Sequence, residues 1–347
     1  MGVDGMKIET MLSGLDGVAD QARLLEDLGV DGAFTFEGPH DVFTPLILAA
    51  TATTRLELLT NVAIAFPRNP VQLAHQAYDL QVVSQGRFTL GLGTQIRAQI
   101  ERRYGSRFER PIARLRELVG ALRAIFATWE TGERLDVQGE FYTHTLMPPT
   151  FNPGPNPFGP PPIFLGGLGP QMVRLTAEIA DGLLVMPFNS ERHFHQRTLP
   201  AVEEGLRRGG RDRSELSVTA EVIVGCGRDE QELAAAMAGA RWLLAFYAST
   251  PAYRPVLEVE GWEDLQPELN AMSKAGRWAE MPALLDDVMV STLAAVGSPA
   301  EVAAQIRSRF GGEVERIGFY TPYAIDPETV GELVDALRQG DEATPAR

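Results

Sequence analysis

Three stretches of the chain hold residues that could do chemistry together. In Phe36-Glu37-Gly38-Pro39-His40-Asp41 an imidazole stands close to two carboxyl groups, directly after a run that reads as a β-strand. Histidine exchanges a proton near neutral pH, so His40 is a candidate acid–base group with Glu37 near it. The competing reading makes this segment a polar cap for a helix starting near Thr44. In Leu165-Gly166-Gly167-Leu168-Gly169-Pro170 three glycines let the backbone approach a ligand, and Pro170 is placed to open a helix. Unpaired N–H groups and the positive end of a helix dipole favour a bound phosphate there, although a tight turn without ligand has the same spelling. The third stretch holds Arg97, Arg102, Arg103, Arg107, Arg110, Arg114 and Arg116, seven of the 31 basic residues. These form either an electropositive lip for a polyanionic ligand or helix-face charges, some paired with Glu101, Glu109 and Glu117.

Other chemistries find less support. His193 and His195 are spaced i, i+2, which does not place both on one helix face, and no Cys/His/Asp cluster has metal-ligand spacing, so no metal is expected. His75 falls inside a helical pattern and reads as structural. No Gly-x-Ser-x-Gly element supports a serine hydrolase. Phe43, Phe66 and Trp242 could line an apolar pocket, with ordinary core packing the favoured reading.

The elements that must position these residues alternate. Short β-rich runs at Lys7–Thr10, Gly32–Phe36, Leu56–Asn61, Arg87–Gly91, Ile163–Leu165, Gly182–Val185, Ser217–Val224 and Arg316–Tyr320 are separated by helical patterns. Several runs are continuously apolar, as parallel strands buried on both faces are. Helix punctuation agrees: Gly29 stops the pattern from Val18 to Leu28, Asn69-Pro70 opens another that Gly86 closes, and Ser298-Pro299 with Glu301 opens one running to about Phe310. Eight strand–helix units predict an α/β fold, a (β/α)8 barrel in one domain spanning 1–347. The rival, an open doubly wound sheet, lacks its Gly-x-Gly-x-x-Gly fingerprint after Thr10. Active sites in such barrels lie at the C-terminal ends of the strands, where all three stretches fall. Two segments exceed the repeat. Between Thr131 and Pro162 lie a small hairpin and the run Pro148 to Pro162, eight of whose fifteen residues are proline. Roughly Asp229 to Thr292 reads as a helical insertion before the last strand, capping the barrel mouth or building a subunit contact.

Composition limits the partners. The 347 residues are 44% hydrophobic and 22% charged, an ordinary globular balance, and carry a net charge of −15. Such acidity makes the chain a poor general binder of nucleic acid or anionic membrane. No apolar run reaches the ~20 residues of a membrane span, and the N-terminus lacks the pattern of a secretory signal. The single Cys226 cannot form an internal disulfide and suits a reducing cytoplasm.

The motifs are those of a known group. The segment "RNPVQLAHQAYDLQVVSQGRFTLGLGTQ" resembles the third helix to fourth strand of the bacterial luciferase-like monooxygenase superfamily, and "PPIFLGGLGPQMVRLTAEIADGLLV" resembles its fifth strand, phosphate loop and sixth strand. "VGSPAEVAAQIRSRF" is similar to its penultimate helix, and the match runs in order over most of the chain. The chain looks most like the coenzyme F420-dependent oxidoreductase branch. That resemblance implies a TIM barrel with the deazaflavin ring across its mouth and a non-proline cis peptide at Asn61-Val62 behind the ring. It further implies that Thr94 and Gln95 line the cofactor side chain, that Gly166, Gly167, Leu168 and Gly169 wrap its phosphate, and that basic residues such as Arg97 meet its acidic tail. Relatives with an adjacent Asp-His pair after the second strand use it at the reacting carbon. Here the acid and imidazole are displaced, so His40 is placed first, Glu37 second, and the choice between Glu37 and Asp41 stays open. The implied activity is hydride transfer between deazaflavin C5 and a small organic substrate, in a cytoplasmic homodimer. Two alternatives share the fold: an FMN-dependent monooxygenase served by a separate reductase, and a non-catalytic cofactor- or ligand-binding barrel.

Overall fold

The computed structural model describes residues 5–341; part of the N-terminal stretch considered above, residues 1–4, lies outside them. Eight strands close into a ring: β1 (Lys7–Met11), β2 (Gly32–Thr35), β3 (Glu57–Thr60), β4 (Phe88–Gly93), β5 (Ile163–Gly167), β6 (Gly182–Val185), β7 (Ser217–Cys226) and β8 (Arg316–Tyr320). Each pairs in parallel with its neighbours, and β8 pairs with β1 to complete the (β/α)8 barrel. β2 and β6 are buried at every residue, which is why their sequences show no apolar–polar alternation. The main hydrophobic core lies between the barrel and its surrounding helices.

Local signals set the helix ends. The Asn69 side chain accepts the Val71 N–H at the start of the Pro70–Val83 helix, and Ser298 with Glu301 forms a capping box on Pro299–Phe310. Gly29 and Gly86 adopt the left-handed φ values (77° and 85°) that end helices.

Both departures from the repeat are present, with corrections. Val137–Gln138 and Thr143–His144 form the expected hairpin. The proline-rich run, which the sequence alone leaves free to wall a pocket, lines no part of the barrel mouth: Asn156 donates to the Tyr78 carbonyl, and the Tyr78 hydroxyl donates to the Gly154 carbonyl. The run must bring the chain back to the N-terminal end of β5, the pole opposite the site. The insertion folds as helices Glu230–Ala248, Arg254–Glu260, Leu265–Lys274 and Asp287–Leu293 with a hydrophobic cluster of their own. It ends in a strand absent from the sequence reading, Ala294–Gly297, which pairs with the end of β7 beyond the ring.

Inside the barrel, three layers rise from the N-terminal pole. The lowest is ionic: Arg316 pairs with Glu9 and Glu57, and Lys7 reaches Glu57 at 2.5 Å. In the next, Gly318 stands in register with both Glu9 of β1 and Glu221 of β7. A β-carbon on Gly318 would lie 2.5 and 2.6 Å from the two Glu221 carboxyl oxygens, so glycine is what admits that side chain. Above it, Phe34, Leu59, Phe164 and Leu184 pack together with Tyr320 against them, and the cavity begins.

Candidate active site at the barrel mouth

A cavity of about 450 Å³ opens where the C-terminal ends of the barrel strands meet the insertion. Larger hollows include two, of about 710 and 740 Å³, that are lined mainly by outer helices. The smaller one has the placement and size of a ligand site in this architecture.

Eight of the nine residues expected to bind a cofactor line it. Asn61 and Val62 form its back wall, Thr94 and Gln95 one flank, and the glycine turn Gly166, Gly167, Leu168 and Gly169 the other. The Asn61-Val62 peptide is cis. Close approach around it accounts for the glycines of β4: a β-carbon on Gly93 would fall 2.5 Å from Val62 Cγ2. Gln95 takes a left-handed φ of 57°, and its side-chain oxygen accepts the Ile96 N–H at 2.8 Å.

The glycine turn passes directly into the ten-residue helix Pro170–Ile179, with Gly169 as its N-cap and no side-chain cap. Pro170 carries no N–H and Met172 donates to the Gly169 carbonyl at 3.0 Å, which leaves the Gln171 N–H for a ligand. A β-carbon built on Gly169 would meet no atom within 4 Å, so open space adjoins this N-terminus. Backbone donors, a helix dipole and adjacent room suit a phosphate, and the cavity is deep enough for a ring beside it. The residues present fit a flavin or deazaflavin.

The remaining expectations fare differently. Arg97 does not line the cavity; it pairs with Glu101 at 2.8 Å and lies over the Phe108 ring. Its neighbours in the arginine-rich stretch serve mainly as internal ties. Arg114 donates to the Phe66 and Arg107 carbonyls, Arg103 to the Gly38 carbonyl, Arg110 pairs with Glu140, and Arg116 with Glu178. Glu117, expected to pair with an arginine, instead accepts the backbone N–H groups of Glu140, Phe141 and Tyr142. Phe43 and Phe66 are core residues and Trp242 is exposed; none lines the cavity.

Glu37 does line it, held by Arg68 in a bidentate pair at 2.8 and 3.0 Å. It also accepts the Ile64 N–H at 3.0 Å, so it braces the short Ala63–Ile64 strand that follows the cis peptide. His40 is not brought to the cavity. Asp41, two residues before Phe43, accepts the Phe43 and Thr44 N–H groups, and this turn leaves His40 exposed on the rim. Asp41, not His40, thus bonds the first N–H groups of the helix that follows.

Sequence reasoning missed Glu221, Tyr247, Tyr253 and Tyr320, which line the inner part of the cavity. Tyr247 and Tyr253 come from the insertion and carried no signal. Glu221 did carry one: it is the sole ionisable residue in Ser217–Val224, a run read as a barrel strand. Burial raises its carboxyl pKa well above the usual range and the nearby Glu9 carboxyl adds to this, while Asn61 opposes them. Burial likewise raises the phenols of Tyr247, Tyr253 and Tyr320.

The architecture and cavity define a (β/α)8-barrel protein with a glycine turn at a helix N-terminus beside a pocket at its C-terminal mouth. The chain belongs to the luciferase-like monooxygenase family, whose sequence pattern matches residues 4–315. It is 48% identical to an uncharacterized protein of Mycobacterium tuberculosis over 299 residues, 86% of this chain and 88% of that one. A second protein of that organism, provisionally named a coenzyme F420-dependent oxidoreductase, is 32% identical over 325 residues, covering 87% and 91%. Among solved structures, the coenzyme F420-dependent tetrahydromethanopterin reductase of Methanopyrus kandleri superposes with a TM-score of 0.82 at 19% identity, covering 97% and 99%. A type II Baeyer–Villiger monooxygenase of Pseudomonas putida in complex with FMN superposes with a TM-score of 0.66 at 18% identity, covering 95% and 96%. The last two speak for the fold.

Proposed function

We propose that this protein is a coenzyme F420-dependent oxidoreductase acting on a small organic substrate. The supporting observation is convergence: the cis Asn61-Val62 wall, the Thr94–Gln95 flank and the glycine turn, far apart in the chain, face one cavity. The relative named for coenzyme F420 favours deazaflavin. When bound, the deazaflavin would supply a carbon that takes up or releases hydride.

The chain's own residues would do the positioning. Backbone N–H groups of the glycine turn hold the phosphate, Val62 backs the ring, and Glu37 with Arg68 fixes the segment that follows it. Phe36 and the insertion's Tyr247 and Tyr253 add aromatic wall to the cavity and help exclude water. A homodimer in the cytoplasm belongs to the same proposal.

Titration of the purified protein with coenzyme F420 and with FMN, followed by fluorescence, tests it. Saturable deazaflavin binding with weaker FMN binding is expected. Tight FMN binding with no deazaflavin binding would instead support the monooxygenase reading, for which the FMN-bound structural neighbour speaks. A protein that binds deazaflavin yet transfers no hydride to any ketone, aldehyde or enone would support the binding barrel.

His40 gives a separate test. Because its side chain is exposed and outside the cavity wall, His40→Ala should leave cofactor affinity unchanged and lower turnover only slightly. A loss of about a hundredfold or more in kcat, the size general acid–base catalysis supplies, would return the proton-transfer role to His40.

A further inference from the structure

Glu221 has no part in the positioning just described, yet its surroundings are specific. Its side chain lies among the cavity walls and is 3% exposed. One oxygen, Oε1, accepts from Asn61 Nδ2 at 2.5 Å; the other, Oε2, is buried without a partner. From β1 it faces Glu9, another buried carboxyl, and from β8 Arg316 and Tyr320, with Tyr247 and Tyr253 above. Arg316 is committed to Glu9 and Glu57 one layer down, and among the described residues no lysine or arginine lines the cavity.

We infer that Glu221 is a ligand-anchoring residue, a neutral carboxylic acid whose Oε2 hydroxyl donates a hydrogen bond to an uncharged acceptor oxygen of the bound molecule. The asymmetry of its two oxygens fixes the direction. Asn61 donates to Oε1, which therefore stays an acceptor, so the proton belongs on Oε2. Ionisation would place a second negative charge beside Glu9 in a layer with no free cation among the described residues, and burial opposes it in the same sense. A carbonyl oxygen fits such a donor, whereas a carboxylate or phosphate at this depth would find no positive charge. The carbonyl could belong to the cofactor ring or to the substrate. The inference rests on the cofactor reading only for which of these it is.

Infrared difference spectroscopy separates the possibilities. The free protein at pH 7 should show a protonated-carboxyl C=O band that Glu221→Gln removes and Glu9→Gln does not. A shift of that band on adding coenzyme F420 or FMN identifies the cofactor's oxygen as the acceptor. A shift only on adding cyclohexanone or cyclohexenone identifies the substrate's. Affinity for the molecule that shifts the band should stay within about threefold in Glu221→Gln, whose amide can also donate. It should fall about tenfold or more in Glu221→Leu. Gly318→Ala, which crowds both carboxyl oxygens without altering their chemistry, should move the same band. Absence of the band at pH 7, or a band unmoved by all four molecules, overturns the inference. If the wild-type protein binds neither cofactor, the functional reading fails. The free-protein band and its response to the two ketones still decide the role of Glu221.

Discussion

Gly169→Asp should abolish cofactor binding while leaving the protein as stable as the wild type, or slightly more so. The two effects separate because of where Gly169 lies. Its φ and ψ of −70° and 148° are the ordinary N-cap conformation that aspartate adopts readily, and the new β-carbon meets no atom within 4 Å. An aspartate there accepts the orphan Gln171 N–H, a cap that gains only about a few tenths of a kcal/mol over glycine. That N–H is one a phosphate at the turn would use, and the new carboxylate adds repulsion at close range. Cofactor affinity is expected to fall by about a hundredfold or more, with the melting temperature unchanged or raised. Unchanged affinity in a folded variant would remove the glycine turn from the site.

Arg316→Met should produce the largest loss of stability of any single change in the barrel interior. Wild-type Glu9 is fully buried; burial lifts its carboxyl above the usual range while Arg316 opposes the shift. Glu57 keeps Lys7 as a partner, but Glu9 has no other direct ion pair among the described residues. Removing one member of a buried pair costs about 3–5 kcal/mol. The pH dependence follows from the direction of the Glu9 shift. Its folded pKa lies above the unfolded value and rises further without Arg316. Between those two values the folded state binds more protons than the unfolded, so stability is fullest at the acidic end and is lost as pH rises. Urea unfolding should therefore show a larger deficit at about pH 7.5 than at about pH 5.5, and adding Glu9→Gln should recover part of it. An equal deficit at both values would mean that the ionic layer does not carry the charge arrangement described.

The legibility of this protein divides along a physical line. All eight barrel strands and their order could be read from the chain, because burial on both faces leaves continuous apolar runs and because the intervening helices announce their ends through Asn69, Ser298 and Gly29. The glycine turn was readable for the same reason: a strand, three glycines and a proline opening a helix form a local pattern. The arginines, His40 and Glu221 were not settled locally. Whether an arginine meets a ligand or a carbonyl depends on which distant loop passes beside it, as Arg114 shows with Phe66. His40 was displaced by a capping choice that its neighbour Asp41 makes two residues before Phe43.

Glu221 is the clearest case. The sequence determined that an acid would stand in a buried strand, but the meaning of that acid came from its neighbours across the barrel. Closure of the ring sets Gly318 between it and Glu9, and the turn after β3 brings Asn61 to one of its oxygens. Strand pattern and turn chemistry are properties of adjacent residues, so the sequence by itself determined the barrel and the glycine turn that opens a helix at its mouth. Register between strands distant in sequence, and the protonation that register imposes, arise only when the ring closes; these the tertiary structure decided.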